Sequence, residues 1–227
     1  MKMSAHAAPT REVSAAEVPQ TRSLSKLRTA AKNCEACPLY RNATQTVFGE
    51  GPRKARIVLI GEQPGDEEDR KGRPFVGPAG RLLDRALAEA GVDRAQCYVT
   101  NAVKHLKWEP RGKRRLHQKP NSREIAACRP WWQAELALIK PQFLVCLGGT
   151  AARAVFGREV KVMRERGKLV ATPWAERTLI TIHPSALLRA PDAAARERGF
   201  ALFVRELAAL AADSNGQVDL GSRRSSR

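Results

Sequence analysis

No apolar run in the 227 residues reaches the roughly 18 that a bilayer span requires, and the first residues lack the apolar stretch of a secretory signal. A soluble, cytoplasmic chain is therefore expected. Acidic residues are scarce beside basic ones, 23 against 40, for a formal charge of +17. An excess of that size attracts a polyanion through steering and counterion release, so nucleic acid is the expected partner. The tail Ser222 to Arg227 (SRRSSR) adds to the excess without accounting for it. Cysteines are few and odd in number, five, which argues against a disulfide framework and gives metal ligation priority. No G-x-x-x-x-G-K-[ST] occurs, so a P-loop nucleotide enzyme is excluded.

What is present reads as one α/β domain over residues 25–212. Residues 1–24, rich in Ala, Ser and Arg, resemble a transit peptide, but Glu12 and Glu17 count against that and favour a disordered leader. Residues 213–227 read as a basic disordered tail. Within the domain ARIVLIGE, from Ala55, is a strand buried on both faces. Three more strands are expected at residues 97–103, 143–147 and 178–182. Helices are expected at residues 80–90, from Ser122 behind the capping box Asn121-x-x-Glu124, at TAARAVFG, and at residues 193–212. This alternation predicts a three-layer α/β/α sandwich around a central four-stranded parallel sheet. Ligands of such sheets bind beyond the carboxyl ends of the strands, here GEQPGD, TNAVKH, LGGT and HPS.

Cys34-x-x-Cys37 chelates one metal or cluster if partners arrive from elsewhere, and an isolated pair of this kind also fits redox chemistry. Cys97 and Cys146 fall within strands and read as small apolar residues. That leaves Cys128 and His105 to complete the set, which suits zinc and an iron–sulfur cluster equally. The most basic loop, KHLKWEPRGKRRLHQKP, ends its run KRRLH on His117, one of four histidines.

The segments GEQPGDEEDRKGRPFVGPAGRLL, TN and HPS, in that order, make the chain resemble the uracil-DNA glycosylase superfamily, and within it the iron–sulfur enzymes of family 4. Family 4 proper has cysteine in place of His105 and lacks the KRRLH loop. Both features look like the UdgX type, which carries a KRRIH-like loop and reacts covalently with uracil-containing DNA; here Leu116 replaces its isoleucine. The resemblance implies a [4Fe–4S] cluster on Cys34, Cys37, His105 and Cys128, close to the DNA-binding surface. It also implies a monomer acting on uracil in DNA, preferably single-stranded.

Under that resemblance Phe75 stacks on uracil, and the Asn101 amide matches uracil O4 and N3–H. Gly61 and backbone amides of residues 62–65 lie near uracil O2, where charge grows as the glycosidic bond breaks. His183 stabilises the departing anion, while Glu62 and Gln63 position a water or an electrostatic partner beside the sugar. Lys113, Arg114, Arg115, Ser185 and Arg189 read as DNA contacts, and Gly77-Pro-Ala-Gly80 suits either an anionic oxygen or helix packing. Charge alone makes KRRLH a phosphate-binding loop. Set among these motifs it delivers His117 as a nucleophile for C1′, with the neighbouring cations expected to depress its pKa. Glu62 or another base is left to remove its proton. The pair Trp131 and Trp132 reads as core, cluster cover or partner surface.

Overall fold

The computed structural model describes residues 13–112 and 114–212. The expected tail, the first half of the expected leader and Lys113 lie outside the described residues. In chain order the elements are α1 Leu24–Ala31, β1 Ile57–Gly61, α2 Asp66–Lys71, α3 Pro78–Glu89, β2 Cys97–Asn101, β3 Trp108–Arg111 and β4 Arg114–His117. They continue with α4 Ser122–Ile139, β5 Phe143–Leu147, α5 Gly149–Phe156, α6 Val162–Glu165, β6 Leu169–Thr172, β7 Ala175–Thr181, α7 Pro184–Leu188 and α8 Ala193–Ala212.

Alternation along β1 builds two cores at once. Ile57 and Leu59 join the layer under α3 and α8, with Leu83, Val99, Val145 and Phe203; Val58 and Ile60 join the other, with Tyr98, Leu144, Trp131 and Trp132. All five residues of β1, β2 and β5 are buried, which is why each shows as an apolar run. Strand order is β2-β1-β5-β7-β6, the first four parallel and β6 antiparallel to β7. The expected four-stranded parallel sheet thus gains a fifth, antiparallel edge strand. LVAT is only four residues long and largely exposed, so it carries neither an apolar run nor a buried alternation.

Two further expectations change. Arg114–His117 is not loop: it forms β4, which pairs antiparallel with β3, Trp108 opposite His117 and Pro110 opposite Arg115. The leader is not loose over its described part. Ser14 N–H donates to Ala36 O at 3.1 Å and Ala16 N–H to Ala127 O at 2.9 Å, with Ala16 buried; backbone bonds through small residues leave no apolar pattern to read. The capping box forms as expected, with Glu124 N–H on Asn121 Oδ1 at 2.9 Å and Asn121 N–H on Glu124 Oε2 at 2.7 Å. Trp131 and Trp132 are core, and Trp131 also reaches Cys34.

Candidate active site

The carboxyl ends of β1 and β2 meet in register at Gly61 and Asn101. Asn101 is buried and its Oδ1 has no hydrogen-bond partner, an arrangement that costs about 1–3 kcal/mol unless a ligand fills it. A Cβ on Gly61 would stand 2.5 Å from that oxygen and 2.7 Å from the Phe75 ring. Glycine therefore leaves the space into which the amide and the ring both look. Phe75 takes a left-handed φ of 56°, unusual for an aromatic residue. Gly80 permits it, since a Cβ there would overlap the Phe75 carbonyl. The Gly77-Pro-Ala-Gly80 entry thus packs the Phe75 turn, and Gly77 N–H is already taken by Glu68 Oε1 at 2.8 Å.

Opposite Phe75, with ring centroids 6.2 Å apart, lies His183. Its Nδ1 accepts Ser185 N–H at 3.2 Å and meets Ser185 Oγ at 2.8 Å. In the neutral ring the proton is then on Nε2, ready to be donated. Burial first, then the charges of Arg189 and His117, push the His183 pKa down to about 4. Ser185 is engaged with His183 and so orients that ring. Arg189 stays exposed and its charge is felt at both histidines.

Gln63 is buried and faces the hairpin. Its Nε2 donates to Lys107 O at 3.2 Å and Gln118 O at 3.0 Å, and its Oε1 accepts Lys107 N–H at 3.1 Å. The Oε1 bond fixes the amide orientation, so at the 2.7 Å contact with His117 Nε2 the amide nitrogen is the donor side, its two N–H groups being shared among three acceptors. His117 Nε2 consequently bears a lone pair, with the proton on Nδ1. Gln63 thus orients the His117 ring, beside the uracil contact and water-positioning role that its motif implies. Glu62 Oε1 lies 4.0 Å from the same nitrogen, and Oε2 accepts the Thr150 hydroxyl.

His117 is 49 % exposed and its pKa is lowered. Burial is the main cause, opposed by Glu62 and reinforced by Arg189. The expected source, the cations of its own run, is displaced for a structural reason. Strand alternation turns Arg115 inward with His117 and leaves Arg114 and Leu116 outside. Arg115, 14 % exposed, gives Nη1 to Asp69 Oδ2 at 2.6 Å and to Thr44 Oγ1 at 3.2 Å, and Nε to Asp66. It also lies 5.4 Å over the Trp108 ring. Arg115 therefore clamps the hairpin to α2 and is not held out as a phosphate ligand; Arg114 remains free for that.

Behind Asn101 lies a network with no signature in the sequence. Lys104 Nζ donates to Glu135 Oε2 at 2.6 Å, Thr100 Oγ1 at 2.5 Å and Asn101 O at 3.1 Å. Glu135 also accepts Tyr98 O–H at 3.0 Å and Gly49 N–H at 2.9 Å. The two charged side chains are 1 % and 0 % exposed.

Lys104 N–H donates to Cys128 Sγ at 3.2 Å, and Trp131 Nε1 to Cys34 Sγ at 3.2 Å. Cys37 is within electrostatic range of Cys34, and both influence Cys128, whose thiol is pushed up to about 12 by burial. His105 Nε2 sits 2.8 Å from Thr46 Oγ1, which itself donates to Ala31 O. Among the described residues no three His, Cys, Asp or Glu side chains converge on a single-ion site. Two sulfurs already receiving N–H donors suit metal-bound thiolates, and burial keeps His105 in its neutral, ligating form. Cys97 and Cys146 lie apart from this corner, buried within the strands.

Comparison with known proteins gives a consistent result. The model of a family described as the uracil DNA glycosylase superfamily matches residues 48–208. A type-4 uracil-DNA glycosylase of Thermotoga maritima is 42 % identical over 159 residues, 70 % of this chain and 79 % of that protein. The type-4 uracil-DNA glycosylase of Pyrobaculum aerophilum is 38 % identical over 176 residues, 74 % of this chain and 86 % of that one. The Sulfurisphaera tokodaii type-4 protein is 35 % identical over 178 residues, 75 % and 78 % of the two chains.

Proposed function

This chain belongs to the uracil-DNA glycosylase superfamily, and from that premise we propose that it excises uracil from DNA and is itself joined, through His117, to C1′ of the sugar left behind. The observation that supports the covalent step is the Gln63–His117 contact, since an amide nitrogen accepts no proton and the neutral ring therefore turns an unprotonated Nε2 toward it.

In this reading a uracil-bearing nucleotide turns out of the stack, which single-stranded DNA permits without unpairing. Uracil lies on Phe75, and the orphan Oδ1 of Asn101 accepts its N3–H. As the C1′–N1 bond breaks, its electron pair leaves with uracil, and His183 Nε2–H donates to the oxygen on which the charge gathers. The Glu62 carboxylate, held by Thr150, steadies the positive sugar. The His117 Nε2 lone pair then leaves the Gln63 N–H, which keeps its carbonyl partners on the hairpin, and forms the new bond to C1′, favoured over water by proximity. The Nδ1 proton is lost through solvent as uracil gains one, so no base need act on His117 beforehand. DNA and protein end as one covalent species without turnover.

The same reading gives Cys34, Cys37, His105 and Cys128 a [4Fe–4S] cluster. When bound it supplies a structural staple between α1, α4 and the segment after β2. Support comes from the donor set and its N–H partners. Iron and acid-labile sulfide in anaerobically purified protein are expected together; zinc without sulfide contradicts the assignment.

The deciding experiment incubates the protein with a uracil-containing single-stranded oligonucleotide and resolves the mixture on a denaturing gel. A shifted protein–DNA band is expected from the wild type and not from His117→Ala. Free abasic product without a shift would leave a turnover glycosylase with a hairpin that only binds DNA. Absence of both products would reduce the protein to a nucleic-acid-binding module.

A further inference from the structure

The hairpin borders only one side of the pocket mouth, the side of β1 and β2. On the other side, at the carboxyl ends of β5 and β7, runs the segment 157–168 that contains α6. Its place is fixed by contacts on the page: Val162 Cγ2 lies 3.6 Å from where a Cβ on Gly149 would stand, one residue from Glu62's partner Thr150. Gly167 N–H donates to Ile180 O at 2.9 Å, three residues before His183.

We infer that this segment is a second DNA-binding rim, in which Lys161, Arg164 and Lys168 hold backbone phosphates of the strand leaving the pocket on the side away from the hairpin. The inference rests on the proposed action on DNA and adds contacts that the site itself does not contain.

Three observations support it. The first is the state of its cations. On α2 and α3 the surface cations Arg70, Lys71 and Arg85 each face a carboxylate four residues away. Lys161, Arg164 and Lys168 are exposed and make no ion pair among the described residues. The only acid of the segment without a bound cation is Glu159, since Arg158 takes Glu165 at 2.5 Å.

The second is anchoring. A four-residue helix has too few bonds to hold itself. Here Arg166, 9 % exposed, is tied to Glu206 through Nε at 2.6 Å and Nη2 at 3.0 Å, and Glu206 accepts the Thr181 hydroxyl at 2.5 Å. A solvated charge run has no need of a buried ion pair joining it to the last residue of β7. A rim that must meet a ligand at a set distance from His183 does.

The third is span and chemistry. Strands lie about 4.8 Å apart, so β1 to β7 covers roughly 10 Å, which sets the rim and the hairpin on opposite sides of the pocket mouth. Met163, 73 % exposed, stands among these cations and offers apolar surface to a sugar or base edge. Phosphate and apolar contacts side by side are what a single strand presents.

The test compares the wild type with the triple variant Lys161→Ala, Arg164→Ala, Lys168→Ala. Affinity for a uracil-containing single-stranded oligonucleotide is measured across a salt series. Each phosphate contact contributes roughly 0.7 to the slope of log K against log salt on single strands. The triple variant is expected to lose about 2 from that slope, while the rate of uracil release at saturating DNA stays within about twofold. Arg53→Ala with Lys54→Ala, at the opposite end of the sheet, serves as a charge control and should leave the slope near wild type. Shortening the oligonucleotide on one side of uracil should abolish the difference between wild type and triple variant; shortening on the other should keep it. An unchanged slope, an equal loss in the control, or indifference to both shortenings would overturn the rim. If the wild type releases no uracil, the proposed function fails, yet the salt slopes still report on the rim.

Discussion

The pocket floor and the hairpin arm both pin a cation to carboxylates, but in opposite surroundings. At the floor Lys104 and Glu135 are sealed from water, and their bonds end on Thr100 and on the carbonyl of Asn101. At the arm Arg115 bridges Asp66, half-exposed, and Asp69, buried, while the His117 it carries remains half-exposed. Burying an ion pair adds little stability in itself, yet removing one partner is severe. The floor therefore gains fixity of the groups proposed to read the base. The arm keeps the His117 ring at the surface, where the proposed reaction needs it, and uses a less buried clamp to hold it there. Reading requires a frame that does not move; delivery requires access.

The sharpest way to break the comparison is Lys104→Met, which strands Glu135 in the core. A loss of about 3–5 kcal/mol is expected, measured by urea unfolding; a loss under about 1 kcal/mol would mean the floor is not held by this pair. Asn101→Ala should separate function from stability on the same floor. Its Oδ1 has no partner to lose and its burial is itself costly, so stability should hold or rise by up to about 1–3 kcal/mol, while uracil release falls on the order of 100-fold, as for loss of one aligned hydrogen-bonding group. Retained release in that variant would remove Asn101 from base recognition.

On the arm, Arg115→Ala should lower the rate of adduct formation about tenfold, through misplacement of His117, with uracil release affected less. Gel and chromatography on one sample measure both; equal losses would show that the arm serves excision itself. The smallest effect concerns pH. The folded pKa of His117 lies below its ordinary 6.5, so the neutral ring persists above 6.5 and is lost only as pH falls through the lowered value. Adduct rate should be flat from about pH 7 to 9 and decline on the acid side of 6.5. For His183 the depressed value of about 4 means that folding favours the neutral form. Its contribution to stability is full above about 6.5 and lost as pH drops toward 4. Thermal unfolding of wild type and His183→Asn across that window should converge as pH falls.

The same contrast governs what the sequence discloses. β1, β2 and β5 are buried throughout, so their residues must be apolar and the central strands are legible. Gly61, Asn101 and His183 lie at or just past strand ends that such reading locates, whereas Phe75, on the turn between α2 and α3, is reached only through the family resemblance. The arm is opaque for the opposite reason: in β4 the inward residues are Arg115 and His117, so alternation runs between polar types and shows no apolar face. Its anchors Asp66 and Asp69 are 49 and 46 residues away. Lys104 and Glu135, 31 residues apart, look like ordinary surface charges until the fold encloses them. The lowering of the His117 pKa was expected from adjacent cations, whereas burial leads and Arg189, remote in sequence, supplies the charge.

The neck of the hairpin is a single rung, Gln118 N–H on Lys107 O at 2.9 Å, with Gln63 spanning both residues. Chain entry and exit are thus side by side, the geometry at which segments are inserted or removed with least disturbance. In modular terms, residues 108–117 form a detachable cassette, and the Asp66–Asp69 pair is its socket. A domain with the cassette replaced by a two-residue turn should keep its floor, and a relative given both cassette and socket should acquire the arm.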